Sequence, residues 1–323
     1  MFEEFDGRSK IGLATRASEL YYLHDWKMET IGNELNLSRS SVSRLLQMAR
    51  DRGIVEFSIN RPQDRLRKIE EQLRIQFHVQ SKVIAVDENA TSGERLDTVG
   101  SETAKQLGNY FTAGISIGLA WGSTVSNVSR HMYQYPVPNA TVVQLNGAGN
   151  DHSTGLTYSG EILNQFGKNL GASIVHFPVP AFFDDPAAKQ AMWRERSTKR
   201  ILDIQSRIDL AIFGLGRIDA EVPSQVYAAG YLGQEELEEL RKERVSGDIA
   251  TVFFREDGSW EDIGLNQRAS GPSLDQLRKT PKRICVVSGV SKLQALRGAL
   301  AGDFITDLFI DDLTAEKLLE SAN

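Results

Sequence analysis

The stretch from Met28 to Asn60, METIGNELNLSRSSVSRLLQMARDRGIVEFSIN, is compatible with few folds. Ile31 and Leu35 stand four apart, the spacing of one helix face, and Leu37, Val42, Leu45, Leu46 and Ala49 supply the inner stripe of a second helix. Gly32 is small enough to let two helices cross closely, Asn36 tolerates a left-handed turn, and the Ser38 hydroxyl can accept from orphan backbone N–H groups as a helix cap. The expectation is a helix-turn-helix. The alternating run Ile54 to Ile59, after the breaker Gly53, predicts a wing strand. Between Ala14 and Trp26, the set Ala17, Leu20, Tyr21, Leu23 and His24 predicts a first helix packed behind the pair.

What the second helix leaves facing outward points to its chemistry. With the capping Ser38, the residues Arg39, Ser40, Ser41, Ser43, Arg44 and Gln47 are short hydroxyls and long donors, the types that reach phosphates and base edges when a helix N-terminus enters a major groove. From Ser38 to Arg52 there are four arginines against one aspartate. The whole chain carries a net charge of −6, so contact with a polyanion has to come from such a local patch and not from a global field. A solvated helix in a small interaction domain has the same spacing, and only the arginine and serine face argues against it.

Beyond residue 60 the pattern changes. DRLRKIEEQLRIQFHV places Leu66, Ile69, Leu73 and Phe77 on one face of a connecting helix, which either packs on the next domain or pairs subunits. From Lys82 onward strands and helices alternate, which favours a mainly parallel sheet with helices on both faces. Expected strands are 83–86, 115–120, 141–145, 173–177, 210–213, 284–287 and 308–310. A hairpin is expected with 249–254 as one strand and Asp257-Gly258 in its turn. Expected helices are 93–111, 125–132, 158–170, 187–205, 234–243, 292–301 and 314–320. The chain is thus expected to be α/β. A winged helix-turn-helix DNA-binding domain (1–60) and a linker helix (61–80) precede a Rossmann-like doubly wound effector-binding and oligomerisation domain (81–323).

Some classes are disfavoured. The single cysteine, Cys285, lies in an apolar run and reads as core in a reducing compartment. No run approaches the length of a membrane span, and the acidic start does not suit a secretory signal, so a cytoplasmic protein is expected. The five histidines are scattered, with no metal-ligand spacing. Neither a cofactor motif nor a catalytic constellation is evident.

In an open α/β sheet, ligands collect beyond the carboxyl ends of the strands. Four turns are placed there. Trp121-Gly122-Ser123-Thr124 combines a glycine, two hydroxyls and a helix N-terminus, which suits an anion. Asn146-Gly147-Ala148-Gly149-Asn150 can bring backbone donors close. Gly214-Leu215-Gly216 is too short for a dinucleotide fingerprint and reads as a tight turn. Ser288-Gly289-Val290-Ser291-Lys292 offers an ammonium to a phosphate. Asp248 suits sugar hydroxyls, or simply an Asx turn at a strand entry. Gly122, Ser123, Thr124, Asn146, Gly147, Asp248, Gly289 and Lys292 are therefore the candidate effector-binding residues.

The order of motifs SRSSVSRLLQMARDRGIVEFSI, GLAWGST, QLNGAG, FPVPAFF, DLAIFGLG, SGDIATVFFREDG and VVSGVSKLQALRGAL resembles the SorC family of bacterial sugar-responsive transcriptional regulators across nearly the whole chain. The resemblance implies an effector domain similar to glucosamine-6-phosphate deaminase and ribose-5-phosphate isomerase, a phosphorylated sugar as effector, and dimers or tetramers on operator DNA. By motif, Gly122, Ser123 and Thr124 correspond to the phosphate-binding turn, Lys292 to the basic residue of the last phosphate-side turn, and Asp248 to a hydroxyl contact. The chain departs from the family at Ile31-Gly32, where Ile-Ala is frequent, and at Ser288-Gly289, where two glycines are common. The alternative is a sugar-phosphate isomerase or deaminase on the same fold. Fold does not carry function, and no acid and base are placed by motif for it.

Overall fold

The apolar runs of the larger part of the chain become β1 (Gln80–Ile84), β2 (Ser116–Leu119), β3 (Thr141–Gln144), β4 (Ser173–Val175), β5 (Leu210–Gly214), β6 (Val245–Ile249), β7 (Val252–Arg255), β8 (Lys282–Val287) and β9 (Asp307–Asp311). This computed structural model describes residues 10–57, 62–218, 220 and 224–321. Seven strands form one sheet in the order β1-β9-β8-β5-β2-β3-β4, and every pairing in it is parallel. Neighbouring residues along a strand enter different apolar clusters. Ile212 and Ile284 face one, packed with the Ser92–Leu107, Ser123–Arg130 and Leu156–Leu170 helices; Phe213 and Cys285 face the other, with the Pro62–Phe77, Leu293–Ala301 and Asp312–Glu320 helices. A sheet covered on both faces explains why these strands read as continuous apolar runs. Cys285 is wholly buried, and burial raises its thiol well above its ordinary range.

The chain divides into two compact units, Met1–Arg61 and Pro62–Asn323. In the first, the Lys10–Ser18, Met28–Leu35 and Arg39–Asp51 helices enclose Ala14, Ala17, Leu20, Ile31, Val42, Leu45, Leu46 and Ala49. Gly32 is required by proximity, because a Cβ there would stand 2.6 Å from the Leu37 carbonyl oxygen. Asn36 takes the left-handed conformation (φ 53°), and the Ser38 hydroxyl accepts the Ser41 N–H at 3.2 Å. In the second unit, the Pro62–Phe77 helix buries Ile69 and Leu73 against the sheet, so the helix expected at 61–80 is a packed part of that unit.

Four expectations need correction. Leu23 and His24 do not pack: Glu19–Leu23 is a wider π turn, which rotates the face, and Leu23 is 76 % exposed. Ile54–Phe57 form no strand; Ile54 and Val55 close over the small core as an irregular segment, and Ser58 and Ile59 lie outside the described residues. The run 249–254 is not one strand. Its centre, Ala250-Thr251, is the tight turn between antiparallel β6 and β7, with φ of 50° and 69°. Two left-handed residues give the twist a hairpin needs, and the Asp248 carboxylate supports the turn by accepting the Thr251 N–H at 3.3 Å. Finally, 187–205 is two helices, Pro186–Arg194 and Arg196–Gln205, separated by extended Glu195 (φ −63°, ψ 139°). The break directs the second helix to the end of β3, where Gln205 Nε2 donates to the Gln144 carbonyl at 2.7 Å.

Candidate functional site

β2, β3 and β4 run outward to one side of the sheet, whereas β5 pairs on the other side of β2, with β8 beyond it. Strand order therefore reverses between β2 and β5, which leaves a crevice at their carboxyl ends. A cleft lies there, lined by Gly122, Ser123 and Thr124 after β2, Asn146 after β3, Gly214 to Gly216 at the end of β5, and Asp248, Thr251 and Lys292. Lys292 also borders an adjoining recess with Ser123, Thr124, Val287 and Ser288.

Six of the eight candidate effector residues thus converge: Gly122, Ser123, Thr124, Asn146, Asp248 and Lys292. Gly147 and Gly289 do not line the cleft. A Cβ on Gly147 would stand 2.3 Å from the Val179 and Pro180 carbonyls, so its glycine serves close packing, and its N–H donates to Ser270 Oγ at 2.9 Å. The Gly289 N–H is likewise committed, to Asp311 Oδ2 at 2.9 Å.

Each side chain is held by its neighbours. Trp121 Nε1 donates to the Asn146 and Gly147 carbonyls at 3.2 and 2.8 Å, which locks the turn after β3 to the turn after β2. Asn146 is 1 % exposed, and its Oδ1 has no protein donor. A buried acceptor left open at a cleft wall is suited to a ligand hydroxyl. Asp248 accepts from the Tyr227 hydroxyl at 2.8 Å. Burial raises the Asp248 carboxyl above its ordinary range, against the opposing effects of the Tyr227 hydroxyl, Lys292 and the Thr251 N–H. Burial brings Lys292 down to about 8, with Asp248 pulling it up and Arg217 pushing it further down. An acid and a base of opposite charge thus share one cleft, beside a helix N-terminus whose first amides have no intrahelical acceptor.

The free volume of the cleft is about 30 Å3, whereas sites for small organic ligands run to ~300 Å3 and above. A sugar-sized molecule therefore has to move the walls. Thr251 and Tyr227 are parts of the site that reasoning from motifs missed, whereas Gly214 and Gly216 were placed at this edge but read only as a tight turn. For Gly214 and Gly216 the signal was present: two glycines directly after an apolar strand at the crossover.

In the smaller unit, Ser38, Arg39, Ser40, Ser43 and Arg44 are exposed and Ser41 is half-buried. The hydroxyls cluster, with Ser38 Oγ 2.9 Å from both Ser40 Oγ and Ser41 Oγ. Gln47 is engaged within its own helix by Arg50 and Asp51. The arginine and serine face of the Arg39–Asp51 helix therefore stands away from the core, as a groove-reading surface requires.

Comparison with known proteins gives concordant matches. The model of the Sugar-bind family, described as "Putative sugar-binding domain", matches residues 61–320. The deoxyribonucleoside regulator of Bacillus subtilis (strain 168) is 29 % identical over 312 residues, covering 97 % of this chain and 98 % of the relative. The sorbitol operon regulator of Klebsiella pneumoniae is 26 % identical over 317 residues, with 96 % and 98 % covered. Among solved structures, the chain is similar to a domain of a possible sugar-binding transcriptional regulator from Arthrobacter aurescens TC1, with TM-score 0.75 and 46 % identity, over 80 % of this chain and all of that one. It is also similar to the full-length sorbitol operon regulator SorC of Klebsiella pneumoniae, with TM-score 0.72 and 25 % identity, over 96 % and 99 % of the two chains.

Proposed function

Because the chain belongs to the sugar-binding domain family of SorC-type transcriptional regulators, we propose that it binds operator DNA under the control of a phosphorylated sugar held in the β2/β5 cleft. It is a transcriptional regulator and not an enzyme. The observation that carries the effector reading is the meeting of Lys292, Asp248, Asn146 and the Gly122–Thr124 turn at one strand-order reversal. In this reading the phosphate lies on the Ser123 and Thr124 amides and hydroxyls, with the Lys292 ammonium as its counter-charge. Asp248 and Asn146 Oδ1 accept from sugar hydroxyls. Ser38, Arg39, Ser40, Ser41, Ser43 and Arg44 contact the duplex.

A ligand shifts DNA binding only by its different affinity for two arrangements of the protein. In this reading that difference lies in the turns around the cleft, which separate or re-close about the ligand. Two-fold related half-sites suit an assembly of two or four chains, each presenting one recognition helix. Among the described residues, no helix is long and apolar enough to cross a membrane, which fits work on DNA in the cytoplasm.

The test is a mobility shift on the chain's own promoter region, with a panel of phosphorylated sugars screened beforehand by thermal shift. A ligand at 100 times its dissociation constant adds about 2.7 kcal/mol. The expected result is one class of sugar phosphate that both raises the melting temperature and changes the shift. A ligand that stabilises the protein yet is chemically converted would favour the isomerase or deaminase alternative.

A further inference from the structure

Asp311 ends β9 with no exposed surface, and its carboxylate meets four donors. Oδ1 accepts from Arg95 Nη1 and from the Thr314 N–H, both at 3.0 Å; Oδ2 accepts from the Thr314 hydroxyl at 2.7 Å and from the Gly289 N–H at 2.9 Å. One carboxylate therefore caps the Asp312–Glu320 helix and anchors the turn that carries Lys292. Gly289 sits at φ 93°, a conformation that favours glycine, and its N–H is the point at which Asp311 holds this turn.

The neighbouring residue continues the connection. Asp312 Oδ1 accepts the Val86 N–H at 3.3 Å, and Oδ2 lies 3.5 Å from Arg65 Nη1. Arg65 also reaches Glu316, four residues along the same helix from Asp312, at 2.7 Å. Arg65 belongs to the Pro62–Phe77 helix, whose Ile69 and Leu73 share an apolar cluster with Ala315 and Leu318. An exposed ion pair by itself contributes little, but this one spans two helices already joined by packing. A buried carboxylate with four donors also resists moving alone, because each donor left behind would lose its partner out of reach of water. A shift of the turn is therefore passed to the helix it caps instead of being absorbed between them.

We infer that Asp311 is a positioning residue for the Ser288–Lys292 turn, and that Asp311, Asp312 and Arg65 couple this turn to the Pro62–Phe77 helix, the segment that follows the DNA-binding unit in the chain. The inference rests on the reading of the cleft as the effector site and names the route by which its occupancy is transmitted.

Amide hydrogen exchange on the full chain, with and without inorganic phosphate, tests it. In the wild-type chain phosphate is expected to slow exchange in the 122–126 and 288–293 segments and in the 62–77 helix. Arg65→Ala, a substitution at an exposed site, is expected to keep the first two effects and weaken the third. Asp311→Asn places an amide against the Gly289 N–H or the Arg95 guanidinium and is expected to weaken phosphate binding. Equal slowing of the 62–77 helix in Arg65→Ala and wild type would overturn the part given to Arg65, and protection of the turns alone in wild type would overturn the coupling. Phosphate affinity unchanged in a folded Asp311→Asn chain would overturn the positioning role. Phosphate that protects neither turn in wild type would instead overturn the effector-site reading, and the coupling with it.

Discussion

Gly216 and Asp248 exchange both backbone hydrogen bonds, at 3.0 and 3.2 Å, and a Cβ on Gly216 would stand 1.7 Å from Asp248 Oδ1. The segment that leaves β5 is therefore laid directly against a residue that lines the candidate cleft. Gly216→Ala must push the Asp248 carboxylate off the Tyr227 hydroxyl. The expected cost is ~1–3 kcal/mol of stability from overpacking, with a larger loss of sugar-phosphate affinity than of operator affinity. Thermal melts and paired titrations with ligand and operator check it. Unchanged ligand affinity would remove Asp248 from the contact set.

Arg44 is exposed on the outward face of the Arg39–Asp51 helix and takes no part in the small core. Arg44→Ala should weaken operator binding without changing phosphate affinity or the melting temperature. If Arg44 meets a phosphate, the slope of log K against log salt should fall by about 0.9. If it reads a guanine edge, the salt slope stays closer to that of the wild type and discrimination between operator variants falls by ~1–3 kcal/mol. Equal loss of DNA and ligand binding would mean a folding defect.

The legibility of this chain follows how local each signal is. The helix pair was readable because Gly32, Asn36 and Ser38 each satisfy a constraint set within a few residues. The central strands were readable because burial on both faces leaves them apolar throughout. The turn at Ala250-Thr251 was not, since two ordinary side chains adopt left-handed backbone there and the support comes from Asp248. The break at Glu195 was hidden because both flanking segments have helical spacing, and the reason for it, the Gln205 contact with β3, is distant in sequence. In the site, Thr124 and Lys292 stood out by residue type. Tyr227 did not, and Gly216 read only as part of a tight turn, because the roles of both depend on facing Asp248.

Gly32→Ala tests the smaller unit by itself. The new Cβ would meet a backbone oxygen 2.6 Å away, which cannot swing aside as a flexible side chain could. The two helices must separate, at an expected cost of ~1–3 kcal/mol, and operator binding should be lost while the sugar-phosphate thermal shift persists. Limited proteolysis would show cleavage confined to the first 61 residues. Wild-type operator affinity in this variant would show that the helix crossing tolerates the change and that Gly32 does not set the DNA-binding geometry.

Lys292 gives two pH dependences of opposite sign. Its folded-state value, about 8, is below its ordinary 10.5, so between those limits the unfolded chain holds a proton that the folded chain has released. Stability from this group therefore rises with pH across that window. A bound phosphate favours the ammonium, so its binding takes up a proton above about 8, and affinity should fall there by up to about tenfold per pH unit. Denaturant melts and phosphate titrations between pH 7 and 10 (roughly the window the linkage spans) should trend in opposite directions. Lys292→Met should flatten both curves and keep operator binding while abolishing the effector response. Phosphate affinity that stays level through this range in the wild-type chain would place the anion's counter-charge elsewhere, with Arg217, which follows β5 and whose guanidinium donates to the Ser291 carbonyl of the Lys292 turn at 2.5 Å, as a candidate.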